Sequence, residues 1–402
     1  MNSFERVRAA LQFSGPDRIP VMNFMSLYTL LFKSDVLPFG TTAPKSWQPG
    51  WNEGEEGLFP HFTNNIYVLH KWKKPGWAKD PKYKNWQIQP HEEIDEWGCI
   101  WINKGDNSSM GHPQRASLTD WSKLDGYIDK YFLNPEDKSR YRLAGFEGKL
   151  FGRNKYRMPV IGVGPFTIAS NMRGFTPYLI DHKKNPENVK DLLERITNIL
   201  VKQMKMYSKV GVKPHGFLLY EDLATQFQPY MSPTLFKEIY ESTYRSLIDT
   251  AHDLGCEFHH HCCGKIDKLI PLLIEWGIDA LELDSPRMTG YPDLKPFLGK
   301  IMFWACVNIQ SIYIRGTPNE VEREVWHMNR NLGTPNGGFG AYYYPQYYHI
   351  QVPKENIKAF EKGIQKYGNY SKIPPSWWDC PVVEEWKDKE VPPLPPLKLN
   401  LH

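Results

Sequence analysis

The chain has 402 residues, 41% of them hydrophobic, enough for one large core, and α/β barrels commonly fill such a length as a single domain. Its 49 Lys and Arg against 45 Asp and Glu leave a formal charge of +4, too slight to imply nucleic acid or an anionic membrane as partner. The start Met1–Arg8 is too polar for a signal peptide, no apolar run nears the roughly 20 residues of a bilayer span, and the six cysteines do not form a secreted protein's framework. These features point to a cytoplasmic chain with reduced thiols.

Arg18 to Phe24 reads as the first strand. Residues from about 35 to 150 then break any regular rhythm; rich in Trp, Tyr, Pro and Lys, they read as an inserted, partly β segment over the mouth of the domain. Within it, Lys71-Trp72-Lys73-Lys74 to Trp86 interleaves bases with aromatics. A single-strand nucleic-acid platform looks like this, but the modest charge favours a solvated hairpin. From Met158 onward an alternation sets in. Met158–Val163 is a strand, and Asn185-Pro186 starts a helix with Val189, Leu192, Leu193, Ile196 and Leu200 on one face. Gly216–Tyr220 is a strand ending at Glu221-Asp222, after which Ser232-Pro233 caps a helix stopped by Gly255. Cys256–His261, Ile278–Leu283, Ile301–Val307 and Gly338–Tyr343 are further strands. Helices follow Asp267 and Thr317-Pro318, and a Pro-rich arm, 374–402, ends the chain and suits packing on a second subunit.

Strands alternating with helices of 10 to 20 residues imply parallel pairing through right-handed crossovers. Seven or eight of them close most naturally as a TIM (β/α)8 barrel over residues 1–373, with a doubly wound sheet as the alternative. Gly162-Val-Gly164-Pro lacks the third glycine of a dinucleotide fingerprint.

In a parallel barrel the chemistry sits at the C-terminal ends of the strands. Those ends collect Glu221, Asp222, His261, Cys263, Asp284 and Asn308. Alternation puts His259, His261 and Cys263 on one side of their strand and His260 and Cys262 on the other. An imidazole and a thiol two residues apart suit a borderline-soft ion such as Zn²⁺, with Glu221 as an oxygen ligand. The bland alternatives are a buried His and Cys satisfied by backbone groups, and two solvated acids opening a loop. Glu221, Asp222 and His261 are the candidate acids and bases. Asn308, Tyr343, His259 and Asp284 are candidate substrate contacts, Asn308 equally a helix cap and the run Tyr342–His349 equally a packed interface. The 14 Trp and 22 Tyr suggest aromatic-lined clefts, although such residues also fill cores.

Several stretches in fixed order resemble the uroporphyrinogen-decarboxylase-like superfamily: Arg8-Ala-Ala-Leu with Pro16-Asp17-Arg18-Ile19-Pro20-Val21, Asp95-Glu96-Trp97-Gly98, Gly164-Pro165-Phe166, Glu221-Asp222-Leu-Ala with Ser232-Pro233, His261-Cys262-Cys263-Gly264, Gly316-Thr317-Pro318-Asn319-Glu320-Val321, Gly337-Gly338 and Pro353-Lys354-Glu355-Asn356. The resemblance implies a TIM barrel and one of two chemistries. The decarboxylases carry an Arg-Gln-Ala-Gly-Arg motif for tetrapyrrole carboxylates, whereas Val21-Met-Asn-Phe-Met-Ser follows Pro20 here. The other branch is the cobalamin-dependent methyltransferases, whose thiol-methylating members hold zinc with a His-x-Cys pair and a later Cys. His261 and Cys263 match the pair, but no Cys lies between Val307 and Asp379. That departure implies the branch that takes the methyl group from aryl methyl ethers to the cobalamin of a partner corrinoid protein, with methyl transfer to a thiol as the alternative. A non-catalytic corrinoid-binding barrel is the reading from a different class. A homodimer is compatible with the Pro-rich arm.

Overall fold

The computed structural model describes residues 1–44, 46–61, 66–67, 72–105, 111–344, 350–373 and 375–379. Lys71, positions 345–349 of the tyrosine run, Cys380 and all of the arm except Pro375–Asp379 lie outside the described residues.

Eight strands form one all-parallel sheet: β1 (Val21–Asn23), β2 (Val36–Phe39), β3 (Tyr156–Val163), β4 (Gly216–Asp222), β5 (Glu257–Cys263), β6 (Ala280–Leu283), β7 (Met302–Ala305) and β8 (Phe339–Tyr343). They are hydrogen-bonded in the order β1-β8-β7-β6-β5-β4-β3-β2, the succession of a TIM barrel. No β1–β2 ladder pair closes the ring among the described residues; side chains stitch that seam instead. Asp35 accepts from the Val21 amide at 2.8 Å and from Arg6 Nη1 at 2.7 Å, while its own amide donates to the Val21 carbonyl at 2.7 Å. Two residues along β1, the Asn23 amide donates to Ser34 Oγ at 3.1 Å.

Local sequence accounts for the crossovers. Ser232 accepts from the Leu235 amide and starts helix Pro233–Asp253, and Thr317 with Glu320 forms a capping box for helix Pro318–Leu332. Helix Pro186–Lys209 buries Val189, Leu192, Leu193, Ile196 and Leu200 completely, and each such side chain contributes about 1.5–3 kcal/mol by leaving water. No helix among the described residues is long and apolar enough to cross a membrane.

The segment between β2 and β3 carries a separate four-stranded sheet, Leu58–Pro60, His91–Ile94, Ile100–Asn103 and His112–Arg115. β2 itself falls inside the stretch read from sequence as insertion, so the barrel resumes for four residues before the insertion begins. The basic-aromatic stretch is not a hairpin: Trp77–Lys79, Pro81–Tyr83 and Trp86–Ile88 are 3₁₀ turns. Their rings gather on Phe59, with Trp86 stacked at 4.0 Å and Trp77, Tyr83 and Trp72 at 5.1, 5.6 and 5.9 Å. Part of the aromatic excess thus packs the insertion, partly buried rings covering a buried Phe59, while many of the largest fully buried rings, among them Trp276, Trp304, Tyr240 and Tyr244, belong to the barrel.

Candidate active site

The alternation of β5 divides its five central residues between two environments. His259, His261 and Cys263 point into the barrel; His260 and Cys262 point outward, His260 edge-on to Tyr244 of helix Pro233–Asp253 at 5.6 Å and Cys262 Sγ accepting from the Leu223 amide at 3.4 Å. The register then decides which neighbours meet them. Tyr220 of β4 and Glu282 of β6 flank His261, and Asp222 flanks Cys263. One further residue pair along β6 brings in Asp284.

These groups form one cluster at the mouth. Glu282 is fully buried and hydrogen-bonds His261 Nδ1. His261 Nε2 lies 3.3 Å from Cys263 Sγ, and that thiol donates to Asp284 Oδ2 at 3.1 Å. Ligand atoms of Asp222, His261 and Cys263 lie within 4.8 Å of one another, as do those of His261, Glu282 and Asp284. Burial lowers the His261 pKa, but the Glu282 and Asp284 carboxylates outweigh it and hold the imidazole up at about 9. Burial pushes Glu282 up to about 7 against the pull of His261. Cys263 is driven well above the ordinary thiol range by burial, then by Asp284 and Asp222.

The donor set suits a metal ion. A thiol, an imidazole nitrogen and a carboxylate oxygen are zinc ligands, and Glu282 on Nδ1 supplies the carboxylate partner that fixes a ligating imidazole with Nε2 outward. A bound cation would stabilise the Cys263 thiolate that burial and two acids otherwise oppose. Glu282 Oε1 and Asp284 Oδ1 are buried without a hydrogen-bond partner among the described residues, a pattern natural for acids around a cation or a polar ligand. Cys306 also ends on the inner side of its strand, but its sulfur belongs to neither group of close ligand atoms.

Other residues singled out from sequence stand elsewhere. Glu221 points out through the barrel wall, where its carboxylate accepts from the Phe166 and Thr167 amides at 3.0 Å each, from Thr167 Oγ1 at 2.7 Å and from Tyr244 Oη at 2.9 Å. It caps helix Pro165–Arg173, and Gly164 makes room for it, since a Cβ there would come within 2.2 Å of Glu221 Oε1. Burial pushes this carboxyl up to about 7 against those four donors. Of the acid pair, only Asp222 joins His261.

His259 lies deeper, toward the barrel floor. Trp304 Nε1 donates to its Nδ1 at 3.1 Å, and its Nε2 stands 2.8 Å from Tyr156 Oη, which donates to Glu257 at 2.9 Å. That pattern assigns the neutral Nε2–H tautomer, consistent with burial pushing its pKa down to about 3, and leaves no ring nitrogen for substrate. Asn308 Oδ1 accepts from the Gln310 amide at 2.9 Å, a turn cap. Tyr343 faces outward against Phe360, ring centroids 4.5 Å apart. Its neighbour Tyr342 faces inward and is hydrogen-bonded to Tyr220, whose ring lies 4.8 Å from His261.

Sequence reasoning passed over Glu282 and Tyr220, and named Tyr342 only within the run Tyr342–His349. Carrying the alternation from Asp284 back two residues, and from Asp222 back two, reaches Glu282 and Tyr220.

A family model described as Uroporphyrinogen decarboxylase (URO-D) matches residues 149–365, more than half of the chain and all of β3 to β8. The chain belongs to the uroporphyrinogen decarboxylase family. A "Methylated-thiol--coenzyme M methyltransferase" of Methanosarcina mazei is 25% identical to this URO-D family member over 180 residues, which are 41% of this chain and 47% of that protein. The chain thus matches less than half the length of that relative. A solved structure, a methyltransferase from Methanosarcina mazei, superposes with a TM-score of 0.57 at 14% identity over 91% of this chain and 99% of that one, and so shares the fold.

Proposed function

We propose that this URO-D family member is a methyltransferase that takes the methyl group of an aryl methyl ether and passes it to the Co(I) of a separate corrinoid protein. The observation that carries the reading is the composition of the mouth, where a His-x-Cys pair is completed by carboxylates instead of a second cysteine. The methyltransferase described for the 25% identical relative supports the general chemistry.

In the reaction the methyl C–O bond breaks with its electron pair going to oxygen, and the electron pair of Co(I) forms the new bond to carbon. A proton from solvent converts the departing phenolate to a phenol. Phenolate, with a pKa near 10 like that of tyrosine, leaves slowly without help. His261, Cys263 and Asp222 would hold a Zn²⁺ ion, which would supply Lewis-acid assistance to the leaving oxygen. One thiolate among harder nitrogen and oxygen donors leaves such an ion more electrophilic than two thiolates would, which suits an oxygen leaving group better than activation of a thiol. Glu282 keeps the His261 ring in place, and Tyr220 with Tyr342 lines the inner wall beside it with ring faces and hydroxyls.

Methyl transfer between a corrinoid and a thiol is the second reading, favoured by the relative's described activity and by the His261–Cys263 pair. Anaerobic mixing with a Co(I) corrinoid protein and a methoxyphenol distinguishes the two. Appearance of methyl-Co(III) absorbance together with one equivalent of catechol is the expected result. No turnover of any methoxyarene, alongside methylation of a thiol from methylcobalamin, would replace this reading with the second.

A further inference from the structure

At the rim of the mouth, one large apolar side chain stands out into solvent. Resting on the corrinoid chemistry common to both readings above, we infer that Phe227, at the tip of the loop between β4 and helix Pro233–Asp253, is the anchor on which the corrinoid protein docks.

Phe227 is 81% exposed, more than any other large apolar side chain among the described residues. The turn that presents it is tightly bonded. Thr225 Oγ1 accepts from the Phe227 and Gln228 amides at 3.1 Å each and donates to the Gln228 carbonyl at 3.0 Å, and the Thr225 amide donates to that same carbonyl at 2.8 Å. The loop is also pinned to the strand that carries the His261–Cys263 pair. The Lys265 amide donates to the Thr225 carbonyl at 2.9 Å, and Gly264 lets that carbonyl pass, since a Cβ there would come within 2.8 Å of it. A ring fixed before a partner arrives loses little further freedom on binding. Past the turn the Tyr230 amide donates to the Leu223 carbonyl at 3.0 Å, and the exposed Phe175 meets the Tyr230 ring edge-on at 4.8 Å, continuing the apolar rim.

Position decides what such a ring meets. Cobalt has to come within bonding distance of the methyl carbon at the mouth, so the protein that carries it faces the strand ends. Two residues of chain on either side of the Thr225–Lys265 hydrogen bond keep Phe227 within roughly 20 Å of Cys263 at full extension, and nearer in the turn it adopts. A standard interface covers about 800 Å² of each partner, a patch about 30 Å across. A partner seated over Asp222, His261 and Cys263 therefore covers this turn. Aromatic side chains ringed by neutral polar groups are the ones that carry binding energy at interfaces. Gln226 and Gln228 flank Phe227, exposed and uncharged, so the contact made here draws on apolar burial and not on ion pairing.

Comparing protein-borne with free cofactor tests the inference. Phe227→Ala is expected to raise the KM for the corrinoid protein at least tenfold, with the KM for the methoxyphenol and the rate with free cob(I)alamin unchanged. Phe227→Trp should recover most of the loss. An unchanged KM for the corrinoid protein in Phe227→Ala overturns the inference. So does an equal loss with free cob(I)alamin, which would move Phe227 to the substrate's side of the mouth. If every methoxyarene fails while a thiol takes the methyl group from the methylated corrinoid protein, a tenfold KM effect in that reaction keeps the docking site and removes only the aryl ether reading. Methyl transfer involving neither the corrinoid protein nor cob(I)alamin removes both.

Discussion

On the inner side of β4 and β5, Asp222, His261 and Cys263 bring their ligand atoms within 4.8 Å of one another. On the outer side, one residue away along each strand, Glu221 and His260 meet helices, and Cys262 Sγ accepts from the Leu223 amide just beyond β4. The two sets are chemically close: an acid, an imidazole and a thiol in each. Their surroundings differ. The outer acid is saturated by four donors, while Glu282 and Asp284 beside the inner set each keep an oxygen without a partner among the described residues. The pleat of the strand, with its period of two, thus separates a structural clamp from a reactive cluster with no change in residue type.

Breaking the inner set should have the largest effect. Cys263→Ala or His261→Ala is expected to abolish zinc binding and to cost at least about 10³ in methyl-transfer rate, the equivalent of roughly 4 kcal/mol. Cys262→Ala, the outer counterpart, should retain both metal and rate. Equal losses in the two cysteine variants, by metal analysis and stopped-flow absorbance, would abolish the distinction.

Next comes the clamp. Glu221→Ala strands four donors in a buried place and should destabilise the fold by about 3 kcal/mol, read from denaturant midpoints, while the surviving folded fraction keeps its metal. Loss of metal at unchanged stability would move Glu221 into the inner set.

The smallest effect sharpens the comparison with a control away from the mouth. Burial pushes His215 and His327 down to about 3, so both stay neutral in the folded protein where the unfolded chain titrates near 6.5. Below pH 6.5 the unfolded state binds protons the native state refuses, so stability falls as pH drops from 6.5 toward 3 and is indifferent to these groups above 6.5. The slope they add is at most about 1.4 kcal/mol per pH unit for each histidine. Urea unfolding at pH 7.5, 6 and 5 in His327→Gln measures its share, and an unchanged slope would remove His327 from it.

Much of this arrangement was legible before any coordinates. The capped helices and apolar runs of the second half mark β3 to β8, and the spacing His261-x-Cys263 marks the mouth. What escaped did so for physical reasons. β2 is four residues long amid prolines and aromatics, too short to show a period. Glu221 and Asp222 end one strand together, and only the pairing Asp222↔Cys263 shows which of them faces inward. His259 looked like part of the site because its partners, Tyr156 and Trp304, reach it from 103 and 45 residues away. Tyr343 and Tyr342 differ by one step of the pleat, and sequence gave no anchor for its phase.

The seam between β1 and β2 has a kinetic consequence. Seven of the eight strand junctions are backbone ladders, whereas this one depends on Asp35 and Ser34. Openings that expose amides should begin there, with Val21, Asn23 and Val36 exchanging deuterium sooner than the central amides of β5 and β6. The barrel is then a sheet with two ends held together, able to part at one line while the strands carrying His261 and Glu282 keep their register.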